Sequence, residues 1–152
     1  MTQAKVKAVC ASQRRIEPKV GLGQGEFRAG WGLVGDSHAG PPRPNRWQIA
    51  LLAWEDTERL NQAENLDAVA GSFAENLSTM RLDTARLCIG DRLRVGEDVV
   101  LEVEQLGKPR EIAHTFNFKG FSLLPHKAVF RGIVTGGLVK DGDPITILLG
   151  PV

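Results

Sequence analysis

The chain of 152 residues is 42% hydrophobic and 24% charged, which is typical of a globular protein, and we expect residues 1–152 to form a single domain. Its 19 basic and 18 acidic residues give a net charge of +1, so the composition argues against binding to nucleic acid or to an anionic membrane. Two cysteines exclude a disulfide scaffold and a four-cysteine zinc site. No apolar run approaches the roughly 20 residues that span a bilayer, and the first residues lack a signal-peptide core, so we expect a cytoplasmic protein.

The first half of the chain predicts strands, turns and one helix. Residues 6–9 are typical of an opening strand, and seven glycines between residues 21 and 40 predict turns and short strands. A regular helix is excluded there because each interior glycine costs about 1 kcal/mol relative to alanine. Residues 48–52 (QIALL) indicate a buried strand, and a helix is expected from about residue 53 to 62.

The second half favours β-structure. Residues 87–95 and 99–106 read as two strands joined by a hairpin loop at residues 96–98. Residues 129–134 and 144–149 add two more strands, with a turn expected at residues 136–137. The irregular stretch 108–127 has room for one short helix. Many short strands with one or two helices predict a mostly-β domain that closes into a barrel, because closure removes exposed strand edges.

Several standard catalytic and nucleotide-binding motifs are incomplete. Residues 21–26 (GLGQGE) begin like a dinucleotide fingerprint but carry Glu26 in place of the third glycine. Residues 30–37 have P-loop spacing but no lysine, and no HExxH zinc helix exists. Asp36, Ser37 and His38 are consecutive, and neighbours on an extended segment point to opposite faces, which argues against a hydrolytic triad. A hydrolase would need Ser37 or another hydroxyl within about 3 Å of His38.

Small polar clusters on turns remain, and each one alone is explained by local backbone hydrogen bonding. Taken in order with the strands between them, however, they resemble the MOSC domain family, the module found at the C-terminus of molybdenum-cofactor sulfurases and as stand-alone proteins. The resemblance runs from about residue 5 to the end of the chain. The motifs that carry it are residues 35–40 (GDSHAG), 48–52 (QIALL), 71–77 (GSFAENL), 87–96 (LCIGDRLRVG), 105–109 (QLGKP), 129–137 (VFRGIVTGG), Val139 and residues 142–143 (GD).

The resemblance implies a fold and a chemistry. The fold would be a barrel similar to the barrel domain of pyruvate kinase. The ligand would be molybdenum cofactor, a pterin that bears a phosphate and a molybdenum ion held by its dithiolene. Family members carry sulfur to that cofactor or use it to reduce N-hydroxylated compounds, so an enzymatic role would be sulfur transfer or molybdenum-dependent reduction. A sulfur donor or a molybdenum enzyme would be the protein partner. The stand-alone type, expected here, lacks a pyridoxal-phosphate domain.

One position departs from the family pattern. The residue that is commonly a cysteine in the family, a metal ligand or persulfide carrier, is Arg110 here. A guanidinium has no lone pair for a metal and cannot hold a persulfide, but it binds phosphate or carboxylate in a bidentate manner. Cys10 and Cys88 are both expected in strands, with Cys88 as a small core residue. A shift of one or two residues in the alignment would bring His114 to this place instead.

The resemblance therefore implies a cofactor site without an assigned catalytic residue or protein metal ligand. Its expected members are Asp36, His38, Arg46, Glu75, Asn76, Lys108 and Arg110, with Arg43 adding charge on the proline-rich loop. Glu75 and Asn76 would shape the pocket, and His38 would make a polar contact. The alternative is a non-catalytic binding module that keeps the barrel, has lost the thiol chemistry and holds a different small anion.

Overall fold

Short strands dominate the part of the chain that the computed structural model describes, which is residues 3–42, 48–107, 117–123, 128–130 and 132–148. One α-helix, α1 (Trp54–Glu64), and one 3-10 turn, Thr84–Arg86, interrupt them there. The strands are β1 (Lys5–Ala11), β2 (Val20–Gly21), β3 (Gln24–Arg28), β4 (Gly32–Leu33), β5 (Ile49–Ala53), β6 (Leu77–Met80), β7 (Arg92–Val95), β8 (Val99–Glu102), β9 (Gln105–Leu106), β10 (Ala128–Phe130), β11 (Gly132–Thr135), β12 (Gly137–Lys140) and β13 (Ile145–Leu148).

The largest sheet has six strands in the order β2-β1-β6-β5-β10-β9. Strands β5 and β6 are parallel and are joined by α1, whereas the other neighbours are antiparallel. All five residues of β5 are buried, which confirms the predicted buried strand, and α1 confirms the predicted helix. Asn65 ends α1 in the left-handed conformation, a common helix terminus. No helix within the described ranges is long and apolar enough to cross a membrane.

The register of this sheet defines two opposite edges. Leu51 pairs with Leu77 and Ala53 with Thr79, so β5 and β6 both run toward the edge where α1 begins. Strand β9 also ends toward that edge, because Leu106 pairs with Ala128 on the antiparallel strand β10. Strand β1 runs the other way and ends at the edge where β5 and β6 begin. We call these the carboxyl edge and the amino edge of the sheet.

Two smaller antiparallel sheets complete the described β-structure. One has the order β11-β8-β7-β13, and its β7–β8 hairpin turns at residues 96–98, as predicted. The other has the order β12-β3-β4. Buried residues of all three sheets meet in one core, to which Val9, Phe27, Leu51, Leu93 and Ile145 contribute. A second cluster around Leu52 and Phe73 fills the space on the helix side of the large sheet.

The predicted closed barrel is wrong. The described strands form three separate sheets, and none of these sheets closes on itself. Closure needs an unbroken ladder between neighbouring strands, whereas these ladders are short and are broken by register shifts, as between Val6 and Ala8. A single bridge between Lys5 and Pro144 links the largest sheet to the segment before β13. A count of short strands therefore predicts the fold class but cannot predict closure.

Three local predictions are also corrected. Strands β6 and β12 are absent from the sequence prediction, which assigns no strand to residues 77–80 and places a turn at residues 136–137. Cys88 was expected in a strand as a core residue, but it is exposed and follows the 3-10 turn. Cys10 lies in β1 and is buried, as expected. The short helix considered for the stretch 108–127 falls mainly outside the described residues, and its described part, residues 117–123, contains a tight turn between Phe118 and Phe121.

Candidate functional site

A buried ion pair lies at the amino edge of the large sheet. The ammonium nitrogen of Lys19 is 2.6 Å from Asp36 Oδ1, and the two side chains are 1% and 0% exposed. The N–H of Ser12, the residue after β1, also donates to Asp36 Oδ1 at 3.0 Å, and Lys19 Nζ donates to Ser12 Oγ at 3.2 Å. These contacts join the end of β1, the loop before β2 and the loop after β4. Buried charges need such partners, because each ion has lost its hydration.

The predicted GDSHAG motif forms the turn that supplies Asp36. Asp36 N–H donates to Leu33 O, and Ala39 N–H donates to Asp36 O, both at 3.0 Å. Asp36 Oδ2 accepts the His38 N–H at 3.1 Å, which is a local aspartate turn. The expectation that Asp36, Ser37 and His38 point to opposite faces is therefore wrong, because the segment is a turn rather than an extended strand.

His38 is the partly exposed member of this polar cluster, which consists of Ser12, Lys19, Asp36, Ser37 and His38. Its Nδ1 lies 3.2 Å from Lys19 Nζ and 3.3 Å from Ser37 Oγ. The role of Nδ1 depends on the tautomer: it accepts in the contact with the Lys19 ammonium and donates in a contact with a carboxylate.

This arrangement differs from that of a hydrolytic triad. Ser37 Oγ and Asp36 Oδ2 both approach Nδ1, Oδ2 at 3.7 Å. A triad requires the nucleophile at one ring nitrogen and the carboxylate at the other, so that the proton moves across the ring. Ser37 Oγ is also 3.1 Å from Ser12 Oγ. The hydroxyl near His38 is therefore present, but the relay that would activate it is not formed by these residues.

Burial alone would raise the pKa of Asp36, but its contacts with His38, Lys19 and the Ser12 N–H outweigh that effect and hold the pKa well below its usual range. Asp36 is thus a carboxylate at neutral pH, and it compensates the charge of Lys19. The carboxyl group of Asp36 therefore does not titrate near pH 7. Its electrostatic function is to fix the turn that carries His38.

Glu75 lies beneath the cluster and is fully buried. Its Oε2 accepts the Gly71 N–H at 2.9 Å and its Oε1 accepts the Phe73 N–H at 3.2 Å. Burial raises its pKa to about 7, although these N–H groups and Lys19 pull it downward. Lys19 N–H in turn donates to Gly71 O, so Glu75 holds the loop on which Lys19 rests.

Asn76 is also buried, and it connects two strands at the start of β6. Its Oδ1 accepts the Ala50 N–H at 3.1 Å, and its Nδ2 donates to Cys10 O at 3.2 Å. Every one of these partners is backbone. Glu75 and Asn76 therefore position the loop and the strands around the cluster, and their side chains are engaged with the protein itself.

The two thiols are placed differently, and neither belongs to the cluster. Cys10 is fully buried, and burial, followed by the charges of Glu75 and Asp141, raises its pKa to about 12. Cys88 is exposed beside Asp91, whose Oδ2 accepts the Cys88 N–H. The described residues contain no group of three His, Cys, Asp or Glu side chains that could hold a metal ion.

The structure brings together only part of the site expected from sequence. Asp36 and His38 are in direct contact, and Glu75 and Asn76 support the same edge of the sheet. Arg46, Lys108 and Arg110, together with Arg43 and His114, lie outside the described residues. Sequence reasoning missed Ser12 and Lys19. Nothing in a single sequence distinguishes Lys19, which follows Pro18 in a polar loop, from a lysine on the surface.

Comparisons with known proteins agree with this architecture. The structure is similar to YuaD from Bacillus subtilis, with a TM-score of 0.72, 17% identity and coverage of 95% of this chain and 94% of that one. It is also similar to YiiM from Geobacillus stearothermophilus, with a TM-score of 0.68, 16% identity and coverage of 96% of this chain and 75% of that one. The similarity to YiiM from Escherichia coli has a TM-score of 0.65, 19% identity and coverage of 99% of this chain and 72% of that one. These structural similarities, at identities of 16–19%, show a shared fold. A comparison with curated protein sequences gives no match.

The model of the MOSC domain matches residues 35–146, which is more than half of the chain. The match begins at the turn that carries Asp36 and His38 and includes Glu75, Asn76 and the 105–109 motif. It confirms the resemblance noted from the ordered motifs. This chain belongs to the MOSC domain family.

Proposed function

We propose that this chain binds a small anionic ligand of the pterin-phosphate type, the organic part of molybdenum cofactor, and that it does not carry sulfur on its own cysteines. The observation that carries the proposal is the composition of the polar cluster. It holds one ammonium, one carboxylate, one imidazole and two hydroxyls, but no thiol. The family turn thus positions an imidazole, His38, rather than a sulfur nucleophile.

The described residues do not fit a protein-ligated molybdenum centre. A thiolate is the ligand that such a centre would take from the protein in this family, and Arg110 occupies the sequence position of that cysteine. Cys10 does not replace it, because a buried thiol with a pKa near 12 stays protonated at neutral pH. The function therefore lies in recognition of the ligand's anionic and hydrogen-bonding groups.

The cluster would contribute to recognition through preorganisation. The buried Lys19–Asp36 pair fixes the turn and with it the position of the His38 ring. In the tautomer in which Nδ1 accepts from Lys19, Nε2 would donate to a phosphate or a pterin carbonyl without adding charge. The charge that neutralises the phosphate would come from Arg46, Lys108 and Arg110. The ammonium group of lysine pairs with phosphate as a point charge, and the guanidinium groups bind it in a bidentate manner.

The competing functions need features that the cluster lacks. Sulfur transfer needs a reactive thiol, molybdenum-dependent reduction would take a thiolate as the metal ligand in this family, and hydrolysis needs a serine and a carboxylate on different nitrogens of one histidine. A protein partner would then receive or deliver the ligand rather than sulfur. Such a partner would be a molybdenum enzyme that takes up the cofactor.

A cysteine-free variant tests this proposal. Cys10→Ala is chosen because alanine leaves no unpaired polar group in the core, and Cys88→Ser is a neutral change at an exposed site. Molybdenum cofactor released from a donor enzyme is titrated into the wild type and into this double variant. We expect equal affinities, within about twofold, and no sulfur transferred by either protein. A loss of binding with the fold retained, or sulfur transfer that depends on one cysteine, would contradict the proposal.

A further inference from the structure

A second candidate site lies at the carboxyl edge of the large sheet, opposite the polar cluster. A cleft of about 660 Å³ opens there between the start of α1, the segment after β6 and the end of β9. Ligand pockets typically have volumes between 300 and 1,000 Å³. Parallel strands joined by a crossover helix place such crevices beyond their carboxyl ends, and β5 and β6 are the parallel pair of this sheet.

The cleft has an apolar floor. Leu82 and Leu87 line it and are buried, and Ala53 closes it at the end of β5. Leu106, the last residue of β9, lines the same cleft and is 48% exposed. An aliphatic group of moderate size would therefore contact Leu82, Leu87 and Leu106.

Charged groups of both signs surround this floor. Glu55 Oε2 accepts the Arg81 N–H at 2.7 Å, and this contact holds Arg81 in the left-handed conformation, with φ of 61°. The Arg81 guanidinium and the Asp83 carboxylate have no partner among the described side chains, and they flank Leu82 in sequence. Arg59, by contrast, is paired with Asp56.

Unpaired buried oxygens concentrate in the same β5–α1–β6 unit. Within the described ranges there are four such side-chain oxygens, Glu55 Oε1, Thr57 Oγ1, Ser78 Oγ and Thr79 Oγ1, and all of them belong to α1 or β6. Buried polar atoms in folded proteins nearly always have a hydrogen-bond partner. Glu55 is the one of these residues that lines the cleft, and its carboxylate, which forms no ion pair with the described side chains, gives that end of the cleft a negative charge.

From these observations we infer that the cleft binds a small zwitterion with an aliphatic body, of the free amino-acid type. The ammonium group of the ligand would donate to Asp83 and lie in the field of the Glu55 carboxylate, its carboxylate would pair with the Arg81 guanidinium, and its side chain would lie on Leu82 and Leu87. Both charged groups of the ligand are needed, because the lining offers the Arg81 guanidinium and the Asp83 carboxylate two positions apart, with the Glu55 carboxylate against the Arg81 backbone. The site is independent of the proposed function, since it lies at the other edge of the sheet.

Titration of the 15N-labelled full chain with L-leucine, followed by NMR, tests this inference. We expect saturable shifts confined to the amides of residues 53–59 and 81–87. Isocaproate, which lacks the ammonium group, and isoamylamine, which lacks the carboxylate, should bind at least about tenfold more weakly, because each leaves one charged group of the cleft unpaired. Absence of saturable shifts, shifts elsewhere, or equal binding of isoamylamine would overturn the inference.

Matched variants separate the site from general charge effects. Glu55→Gln keeps the acceptor for the Arg81 N–H but removes the charge, and Arg81→Ala removes the guanidinium; each should weaken leucine binding by about tenfold or more. Glu58→Gln and Arg86→Ala change exposed charges on the same two segments without touching the cleft, and they should stay within about twofold of the wild type. Wild-type affinity in both Glu55→Gln and Arg81→Ala would overturn the inference.

Discussion

The ammonium group of Lys19 and the carboxylate of Asp36 form an ion pair at 2.6 Å that solvent does not reach. Two opposite charges in such a position stabilise each other, but each becomes a buried unpaired charge when its partner is removed. Asp36 is further fixed by the N–H groups of Ser12 and His38. The pair therefore locks three loops together and determines where His38 stands.

Removal of the lysine charge should strongly destabilise the protein. We expect Lys19→Met to lower the free energy of unfolding by about 3–5 kcal/mol, because Asp36 is left charged and buried. The double variant Lys19→Met with Asp36→Asn should recover part of this loss, since asparagine is neutral and its carbonyl oxygen still accepts one of the two backbone N–H groups. Urea denaturation monitored by tryptophan fluorescence measures both changes.

An exposed ion pair provides the control for this cycle. Arg28 and Glu26 are 3.3 Å apart, and both side chains are 54% exposed. Arg28→Ala should change the free energy of unfolding by less than about 1 kcal/mol, because water already solvates both charges. An equally small effect of Lys19→Met would show that Lys19 and Asp36 are not the buried pair described above.

Glu75 should make the stability depend on pH. Its pKa in the folded protein is about 7, which is above the value of about 4.3 in an unfolded chain, so the folded state binds the proton more tightly. The contribution of protonated Glu75 to the free energy of unfolding is complete below about pH 4. This contribution is lost as the pH rises through 7, and the loss amounts to about 3 kcal/mol. Thermal or urea unfolding measured from pH 5 to pH 8 should show this decline.

The decline should vanish in Glu75→Gln, which resembles the protonated carboxyl group at every pH. Glu64→Gln, an exposed change at the end of α1, should keep the pH dependence of the wild type. A Glu75→Gln variant whose stability still declines over this range would assign the effect to another group.

Gly71 should be far less tolerant of a side chain than Gly90. Both have positive φ, 92° and 97°, so alanine is strained by about 1–2 kcal/mol at either position. A Cβ at Gly71 would also lie 2.2 Å from Lys19 O and 3.2 Å from Cys10 Sγ, whereas nothing lies within 4 Å of a Cβ at Gly90. Overpacking a protein core costs about 1–3 kcal/mol. We therefore expect Gly71→Ala to lower the free energy of unfolding, measured by urea denaturation, by at least about 2 kcal/mol more than Gly90→Ala does. Equal losses of stability in the two variants would mean that a side chain at position 71 does not clash with the backbone carbonyl of Lys19.

The thiols should differ in accessibility. At pH 8 in the folded protein, iodoacetamide should modify Cys88, which is exposed, and spare Cys10, whose buried thiol has a pKa near 12. Peptide mass spectrometry after a short reaction measures both sites, and the reaction in guanidinium chloride should modify both. Rapid alkylation of Cys10 in the folded protein would contradict the burial of this thiol and reopen a sulfur-carrying role.

Part of the site follows from sequence because it is local. Asp36 and His38 stand two residues apart in a glycine-flanked turn, and the hydrogen bond between them forms within that turn. Lys19 and Ser12 reach Asp36 from 17 and 24 residues away, and only the folded arrangement of β1 and β4 brings them together. Such long-range partners leave no periodicity or spacing in one sequence.

The same distinction explains the fold. Buried strand β5, helix α1 and the β7–β8 hairpin were predicted because their patterns are contained in 4–11 consecutive residues. Closure of a barrel depends on hydrogen bonds between strands that are distant in the chain, and here short ladders and register shifts leave three sheets. Cys88 was misplaced for a related reason, since an apolar neighbour on each side does not distinguish a buried strand from an exposed turn.

The claim that this chain recognises the anionic ligand without thiol chemistry is tested most directly at Arg110. Molybdenum cofactor released from a donor enzyme is titrated into the wild type, Arg110→Ala and Arg110→Cys. The account predicts that the wild type binds, that Arg110→Ala binds about tenfold or more weakly because a bidentate anion contact is lost, and that Arg110→Cys gains nothing over Arg110→Ala. It would be contradicted if the wild type failed to bind while Arg110→Cys bound the cofactor.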